Sequence, residues 1–169
     1  MTTTGQSTGQ STGQRTGTRS PDEATVEQQV LARMAQWRAT FEAKDVDGMM
    51  TFYADGDAFS AFDLMPPLEF RGGAGWRANW VSFFAAWQGV PHLELTDVEV
   101  HGAGDLAVVR AMVRLHGTMS GQATDLWVRQ TNVFRHLGGQ WLMVHDHVSV
   151  PTDFATGRSL TDLSPHPAR

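Results

Sequence analysis

Apolar residues recur every three or four positions along the first strongly patterned segment of the chain. This is the spacing of one face of an amphipathic helix, which packs against the rest of the protein. The pattern therefore predicts a first helix with a continuous apolar face. That face consists of Val26, Val30, Met34, Trp37 and Phe41.

We predict that this helix begins near Ser20, because serine is a preferred N-cap residue and Pro21 fits the first helical position. Gly48 interrupts the apolar pattern, after which the sequence favours a short second helix and a short strand over 58–62. Large rings then recur at helical spacing between residues 74 and 87, which predicts a third helix. Either plain core packing or the wall of a roomy ligand pocket would explain so many aromatic side chains on one helix.

From Leu93 onward the apolar period changes from that of a helix to that of a strand. Four runs rich in strand-forming residues are separated by glycine-containing turns, which predicts an antiparallel meander. Helices followed by strands indicate an α+β fold, in which about three N-terminal helices pack on one face of a curved antiparallel sheet. The predicted strands cover 93–100, 106–115, 125–135 and 141–150.

Composition separates this domain from its ends and limits its partners. Residues 1–20 cycle through Thr, Gly, Gln and Ser, so we expect a disordered tail, then one domain over 21–160 and a flexible segment over 161–169. A net charge of −5 argues against nucleic acid as a partner. The apolar runs are too short to span a membrane, and we expect a cytoplasmic protein.

The sequence offers few of the motifs that bind cofactors or form covalent intermediates. With no cysteine in the chain, disulfides and thiolate metal sites are excluded. The GGAGW segment lacks the Lys and Ser/Thr of a phosphate-binding loop, and no serine nucleophile elbow is present. We therefore expect neither a cofactor nor a bound metal.

Three segments resemble one known superfamily. EAKDVDGMMTFYADGDAF is similar to the opening of the nuclear-transport-factor-2-like proteins, and DLWVRQTNVFR and WLMVHDHVSVPTDFATG resemble their SnoaL-like, ketosteroid-isomerase-like branch. The likeness covers roughly residues 23–160. It implies a cone-shaped domain with one pocket for a small hydrophobic molecule. Because this fold hosts both enzymes and assembly modules, the resemblance leaves the reaction open.

Strand alternation divides the side chains of the last two strands between two faces, but it does not tell which face points inward. The resemblance places Asn132 at the position of the neutral pocket acid of the isomerases. In that register the inward-facing residues are Gln130 and Asn132 on one strand and Val144, Asp146 and Val148 on the next.

Asp146 is the predicted acid or base, because a carboxyl on an apolar wall loses hydration and its pKa rises. Alternatively it faces outward and pairs with an arginine. Asn132 would donate to an oxyanion, or simply satisfy a core hydrogen bond.

By the resemblance, either Phe62 or Asp63 takes the place of the isomerase base; Asp63 also suits a turn. Tyr53, the only tyrosine, is either a core residue or a partner of a pocket carboxylate.

Two functions remain open on these residues. The first is a cofactor-free isomerase or cyclase acting on an apolar carbonyl or polyketide-like substrate, with Trp37, Trp80 and Phe84 as the pocket wall. The second is a ligand-binding or assembly module resembling the kinase II association domain. In both we expect a homodimer. His145 and His147 share one strand face, and a subunit contact is favoured there over a metal site.

Overall fold

A computed structural model describes residues 24–165 of the chain. The predicted tail over 1–20 and the predicted cap at Ser20 lie outside this range. Three helices are present, as expected, and they precede the long strands. They are α1 (Val26–Glu42), α2 (Val46–Met50) and α3 (Gly73–Ala86), with one turn of 3-10 helix at Gly56–Ala58.

Six strands form one curved sheet in the order β2-β1-β6-β5-β4-β3, and a small hairpin, β7 with β8, follows it. The four long strands are antiparallel to their neighbours, as predicted, but β1 runs parallel to β6. The sheet is therefore mixed: the predicted antiparallel meander is present, and one short parallel strand pair is added to it. The strands are β1 (Ser60–Phe62), β2 (Phe70–Arg71), β3 (Trp87–Ala103), β4 (Leu106–Met119), β5 (Gln122–Leu137), β6 (Gln140–Ser149), β7 (Thr152–Asp153) and β8 (Arg158–Ser159).

A capping box fixes the start of α1. The Thr25 side chain accepts a hydrogen bond from the Gln28 backbone, and the Gln28 side chain accepts one from the backbone N–H of Thr25. Both groups satisfy N–H donors that a helix end leaves unpaired. The helix therefore begins at Val26, later than the sequence pattern predicted. All but one of its predicted apolar positions are buried; Val26 at the helix start is half-buried.

Helix α3 continues into β3 without a loop. Trp87 ends the helix with extended dihedral angles and already pairs with Met119 of β4. The strand thus begins earlier than predicted, and it runs through Gly89 and Pro91. In the structure a register shift between Gln88 and His92 accommodates both residues.

The core lies between the inner face of the sheet and the three helices. The helices contribute mainly aromatic rings, which pack against one another at centroid distances of 5.2 to 6.4 Å. The sheet contributes smaller apolar side chains from β4, such as Val109 and Ala111. Within this otherwise apolar interior, three polar side chains are buried. They are Gln130, Asn132 and Asp146.

Candidate functional site

The inner face of β5 carries two amide side chains in the middle of the core. Gln130 is 4% exposed and Asn132 is 1% exposed, and their strand neighbours Val128 and Phe134 on the same face are also buried. Gln130 and Asn132 therefore face the core, as the resemblance implied, together with Val128 and Phe134. The amides lie beneath the helices, where water does not compensate for an unmade hydrogen bond.

A β-bulge changes the faces of β6. Phe134 pairs with Met143 and Val133 pairs with His145, so Val144 is an extra residue between them. Met143 is fully buried, and Val144 is only partly buried. Strict alternation along β6 predicts an outward-facing Met143, and that prediction is wrong; Val144 packs against the core while remaining partly exposed. Beyond the bulge, Asp146 faces the core as predicted.

Asp146 is a buried carboxyl group held by the two amides. The Asn132 Nδ2 donates to Asp146 Oδ1 over 2.8 Å, and the Gln130 Nε2 donates to the same oxygen over 3.3 Å. Among residues 24–165, no cation pairs with Asp146 and no side chain donates to its Oδ2. The alternative of an outward-facing Asp146 paired with an arginine is wrong.

Burial raises the pKa of Asp146 to about 7, the charge of Asp63 adds to the rise, and the bonds from Gln130 and Asn132 oppose it. A carboxyl with this pKa is about half protonated near neutral pH. It is therefore able both to accept and to donate a proton under ordinary conditions.

Asp63 follows the last residue of β1. Its Oδ1 accepts from the backbone N–H of Leu64 over 2.7 Å, which is the turn role foreseen for it. Its Oδ2 accepts from the side chain of Asn79 on α3 over 2.8 Å. Phe62 points the other way, with its ring against His145 and His147. Of the two residues that could take the place of the isomerase base, Asp63 is thus the one directed toward the helices.

Tyr53 lies beside β6, where it forms an isolated bridge with Met143. Its hydroxyl oxygen accepts a hydrogen bond from the indole N–H of Trp37 over 3.1 Å. Burial raises the pKa of Tyr53 well above its ordinary value, the charge of Asp146 raises it further, and the indole groups of Trp37, Trp76 and Trp80 oppose the rise. Tyr53 is therefore a protonated phenol near the buried carboxyl.

The predicted pocket wall is packed as part of the core. Trp80 stacks on Phe84 at 5.2 Å and meets Trp37 edge-on at 6.4 Å. Two residues near it were not singled out as polar groups from the sequence. They are Asn79, which holds Asp63, and Trp76, which meets the Tyr53 ring at 5.8 Å. Asn79 and Ser82 are the two uncharged polar side chains of this aromatic helix, and an amide directly beside Trp80 is the signal that could have indicated Asn79.

A cleft of about 640 Å³ opens where β1 separates from β6. Asp63 and Val148 lie on its wall, so it reaches the segment next to the buried carboxyl, although Asp146 itself does not line it. Trp37, Trp80 and Phe84 do not line it either. The lining residues are Phe62, Asp63, Leu64, Leu68, Glu69, His147, Val148, Ser149, Val150, Thr152 and Ser159.

The outer face of the sheet carries ion pairs. Arg114 of β4 donates to Asp125 of β5 over 2.7 Å, and Arg110 pairs with Glu99 of β3. The ring of His145 hydrogen-bonds Ser60 over 2.9 Å, and its pKa is lowered by partial burial and by nearby His147. Over residues 24–165 no group of three or more His, Asp or Glu side chains is arranged to hold a metal ion.

A comparison with models of protein families shows to which family the chain belongs. The model of the SnoaL-like domain matches residues 30–153, which is most of the sequence. The chain belongs to the SnoaL-like domain family. This SnoaL-like chain has the cone-type α+β fold of the nuclear transport factor 2-like superfamily. No curated protein matches its sequence. Within the described range, no helix is both long and apolar enough to cross a membrane.

Solved structures support the same assignment. A nuclear transport factor 2-like protein of unknown function from Pseudomonas putida KT2440 is 32% identical, with a TM-score of 0.73, covering 80% of this chain and 94% of that one. A proposed kinase II association domain from Thiobacillus denitrificans is 26% identical, with a TM-score of 0.58, covering 70% and 92%. A proposed dehydratase of the same superfamily from Streptomyces avermitilis is 21% identical, with a TM-score of 0.64, covering 72% and 92%.

Proposed function

We propose that this SnoaL-like protein is an enzyme that moves a proton on a small, mostly apolar carbonyl compound, with Asp146 as the acid and base. The observation that carries the proposal is the environment of Asp146. It is fully buried, lacks a cation partner among the described residues, and has a pKa raised to about 7. A merely structural carboxyl in a core is usually paired, because an isolated buried charge is costly.

The reaction divides into two proton transfers. The Asp146 carboxylate removes a proton from the carbon next to the carbonyl, and the electron pair left behind moves onto the carbonyl oxygen as an enolate. Tyr53 donates a hydrogen bond to that oxygen as its negative charge develops. Asp146 then returns the proton at a second carbon, which isomerises the substrate. In a cyclisation, the enolate carbon instead adds to a second carbonyl carbon of the same molecule, the π electron pair of that carbonyl moves onto its oxygen, and Asp146 returns the proton there. Asn132 and Gln130 hold Asp146 in place throughout.

Asp63 and the cleft supply the entrance in this proposal. The substrate enters through the cleft beyond the paired part of β1 and β6, whose wall combines apolar and polar side chains, and passes Asp63 on its way to the core. Asp63 also tunes Asp146, because its negative charge raises the pKa of the buried carboxyl. The rings of Trp37, Trp80 and Phe84, which do not line the cleft, would contact the substrate only once it has moved past Asp63 into the core. None of these steps calls for a cofactor.

The proposal is tested by the exchange of acidic C–H protons for deuterium. We would incubate the full chain with 2-tetralone in D2O and follow the loss of its C1 proton signal by NMR. General acid–base catalysis typically contributes about 10²- to 10⁴-fold to a rate, so exchange is expected to exceed the buffer rate by a factor in that range. The rate should rise with pH through about 7, as Asp146 ionises. Exchange no faster than in buffer for a series of cyclic ketones would contradict the proposal.

A second candidate is an assembly module, favoured by the likeness to the kinase association domain from Thiobacillus denitrificans. In either role we propose a homodimer formed through the outer sheet face around His145 and His147. His145 has a lowered pKa and is neutral at pH 7. Protonation of His145 as the pH falls would place a charge in this contact and is therefore expected to weaken the dimer, as measured by sedimentation. A dimer fraction that is constant from pH 5 to 8 would contradict a contact at this face.

A further inference from the structure

Two neighbouring indole N–H groups are buried in the core without a hydrogen-bond acceptor among residues 24–165. They belong to Trp76, which is 2% exposed, and Trp80, which is 7% exposed, and both nitrogen atoms are buried. A buried donor without a partner destabilises the folded state, and folded proteins pair nearly all such donors. Two such donors side by side therefore call for an explanation.

The two donors lie on one face of α3. Trp76 and Trp80 are four residues apart, which is one helical turn, and their rings meet edge-on at 5.4 Å. The Trp76 ring also meets the Tyr53 ring at 5.8 Å. Both indole groups lie close enough to the Tyr53 hydroxyl to lower its pKa, but neither completes a hydrogen bond to it.

The Tyr53 oxygen has already accepted the indole N–H of Trp37. A phenol oxygen has two lone pairs and one proton of its own to donate. The immediate surroundings of this hydroxyl therefore contain more donors than its lone pairs accommodate. An additional oxygen atom placed beside it would accept from the indoles and from the Tyr53 O–H together.

We infer that the indole N–H groups of Trp76 and Trp80, together with the Tyr53 hydroxyl, bind the carbonyl oxygen of the substrate. The inference rests on the proposed function for the identity of the ligand, and it specifies the ligand class as a carbonyl whose oxygen is directed toward α3. The acidic carbon of the same molecule then faces Asp146, whose charge acts on Tyr53 from the sheet side. Trp76 and Trp80 are thus assigned as oxygen-binding residues rather than only as an apolar wall.

The test follows the indole N–H signals of the full chain by ¹⁵N NMR. The six tryptophans give six such signals. Addition of 2-tetralone is expected to move the Trp76 and Trp80 signals downfield, as hydrogen bonds form. Tetralin, which has the same rings but no oxygen, should leave them in place. Trp87 provides an internal control, since its indole N–H is also buried and unpaired but its ring packs against Phe83, away from Tyr53. Unchanged Trp76 and Trp80 signals at saturating 2-tetralone would overturn the inference.

Phenylalanine variants give a second readout. Trp76→Phe and Trp80→Phe keep an aromatic ring and remove only the donor, so each should weaken 2-tetralone binding by roughly three- to ten-fold. Tetralin binding should not change, and Trp87→Phe should affect neither ligand. Equal losses for both ligands would indicate packing alone and overturn the inference. Downfield shifts without proton exchange would contradict the proposed function but support the binding site.

Discussion

Replacement of Asp146 by asparagine is expected to lower the exchange of 2-tetralone protons by about 10²- to 10⁴-fold, which is the usual contribution of a general base. Asparagine has nearly the same shape and is still able to accept from Asn132 and Gln130 through its amide oxygen. It cannot take up a proton near neutral pH. The loss should therefore appear in the rate of exchange, while the affinity for 2-tetralone, measured by NMR titration, changes little.

Asp125→Asn is the matched control for this experiment. Asp125 undergoes the same chemical change, but it lies exposed on the outer face of the sheet, where it pairs with Arg114. The Asp125→Asn variant should exchange the protons of 2-tetralone at the same rate as the unaltered protein. If Asp146→Asn retained full exchange activity, Asp146 would not be the base, and Asp63 would be the next carboxylate to test in the same assay.

The stability of the protein should depend on pH through Asp146. Its pKa is raised from 3.8 to about 7 on folding, so the folded state holds this proton more tightly than the unfolded state. The stabilisation is complete below pH 3.8 and is lost as the pH rises through about 7. At about 1.4 kcal/mol per pKa unit, the free energy of unfolding should fall by up to about 4 kcal/mol over this window.

The Asp146→Asn variant lacks this titration. Between pH 5 and 8, the free energy of unfolding of the unaltered protein should therefore fall by a few kcal/mol relative to that of the variant. Urea denaturation measures both. Asp125→Asn should show no such trend in that range, because the pKa of Asp125 is lowered by Arg114 and it titrates at more acidic pH. Parallel stability curves for Asp146→Asn and the unaltered protein would mean that Asp146 ionises normally.

Much of the fold follows from periodicity in the sequence. The stripe through Met34 and Trp37 and the aromatic face of α3 each have one regular period, so the pattern alone predicts their buried residues. Along β5 the alternation separates two faces, and the family resemblance indicated which of them points inward. The parallel pairing of β1 with β6 could not be predicted this way. It joins residues far apart in the chain, and β1 has only three residues with which to show a pattern.

The candidate site was predicted less completely, for two physical reasons. The bulge at Val144 shifts the period of β6 by one residue, and alternation counted along the sequence assigns Met143 to the wrong face. The inward orientation of Asp146 was predicted correctly. The resemblance assigned Asn132 to the pocket, and Asp146 lies opposite Asn132, beyond the bulge. The grouping of Tyr53 with Trp76 depends on how α3 crosses the sheet, and a sequence pattern contains no information about that angle.

The pKa of Asp146 is the most direct test of the account. It is measured by following the ¹³C signal of the Asp146 carboxyl group from pH 3 to 9, with and without 2-tetralone, and with Asp125 as the internal reference. The account predicts a midpoint near 7 that moves when 2-tetralone binds. A midpoint near the ordinary value of 3.8, indifferent to the ligand, would contradict it.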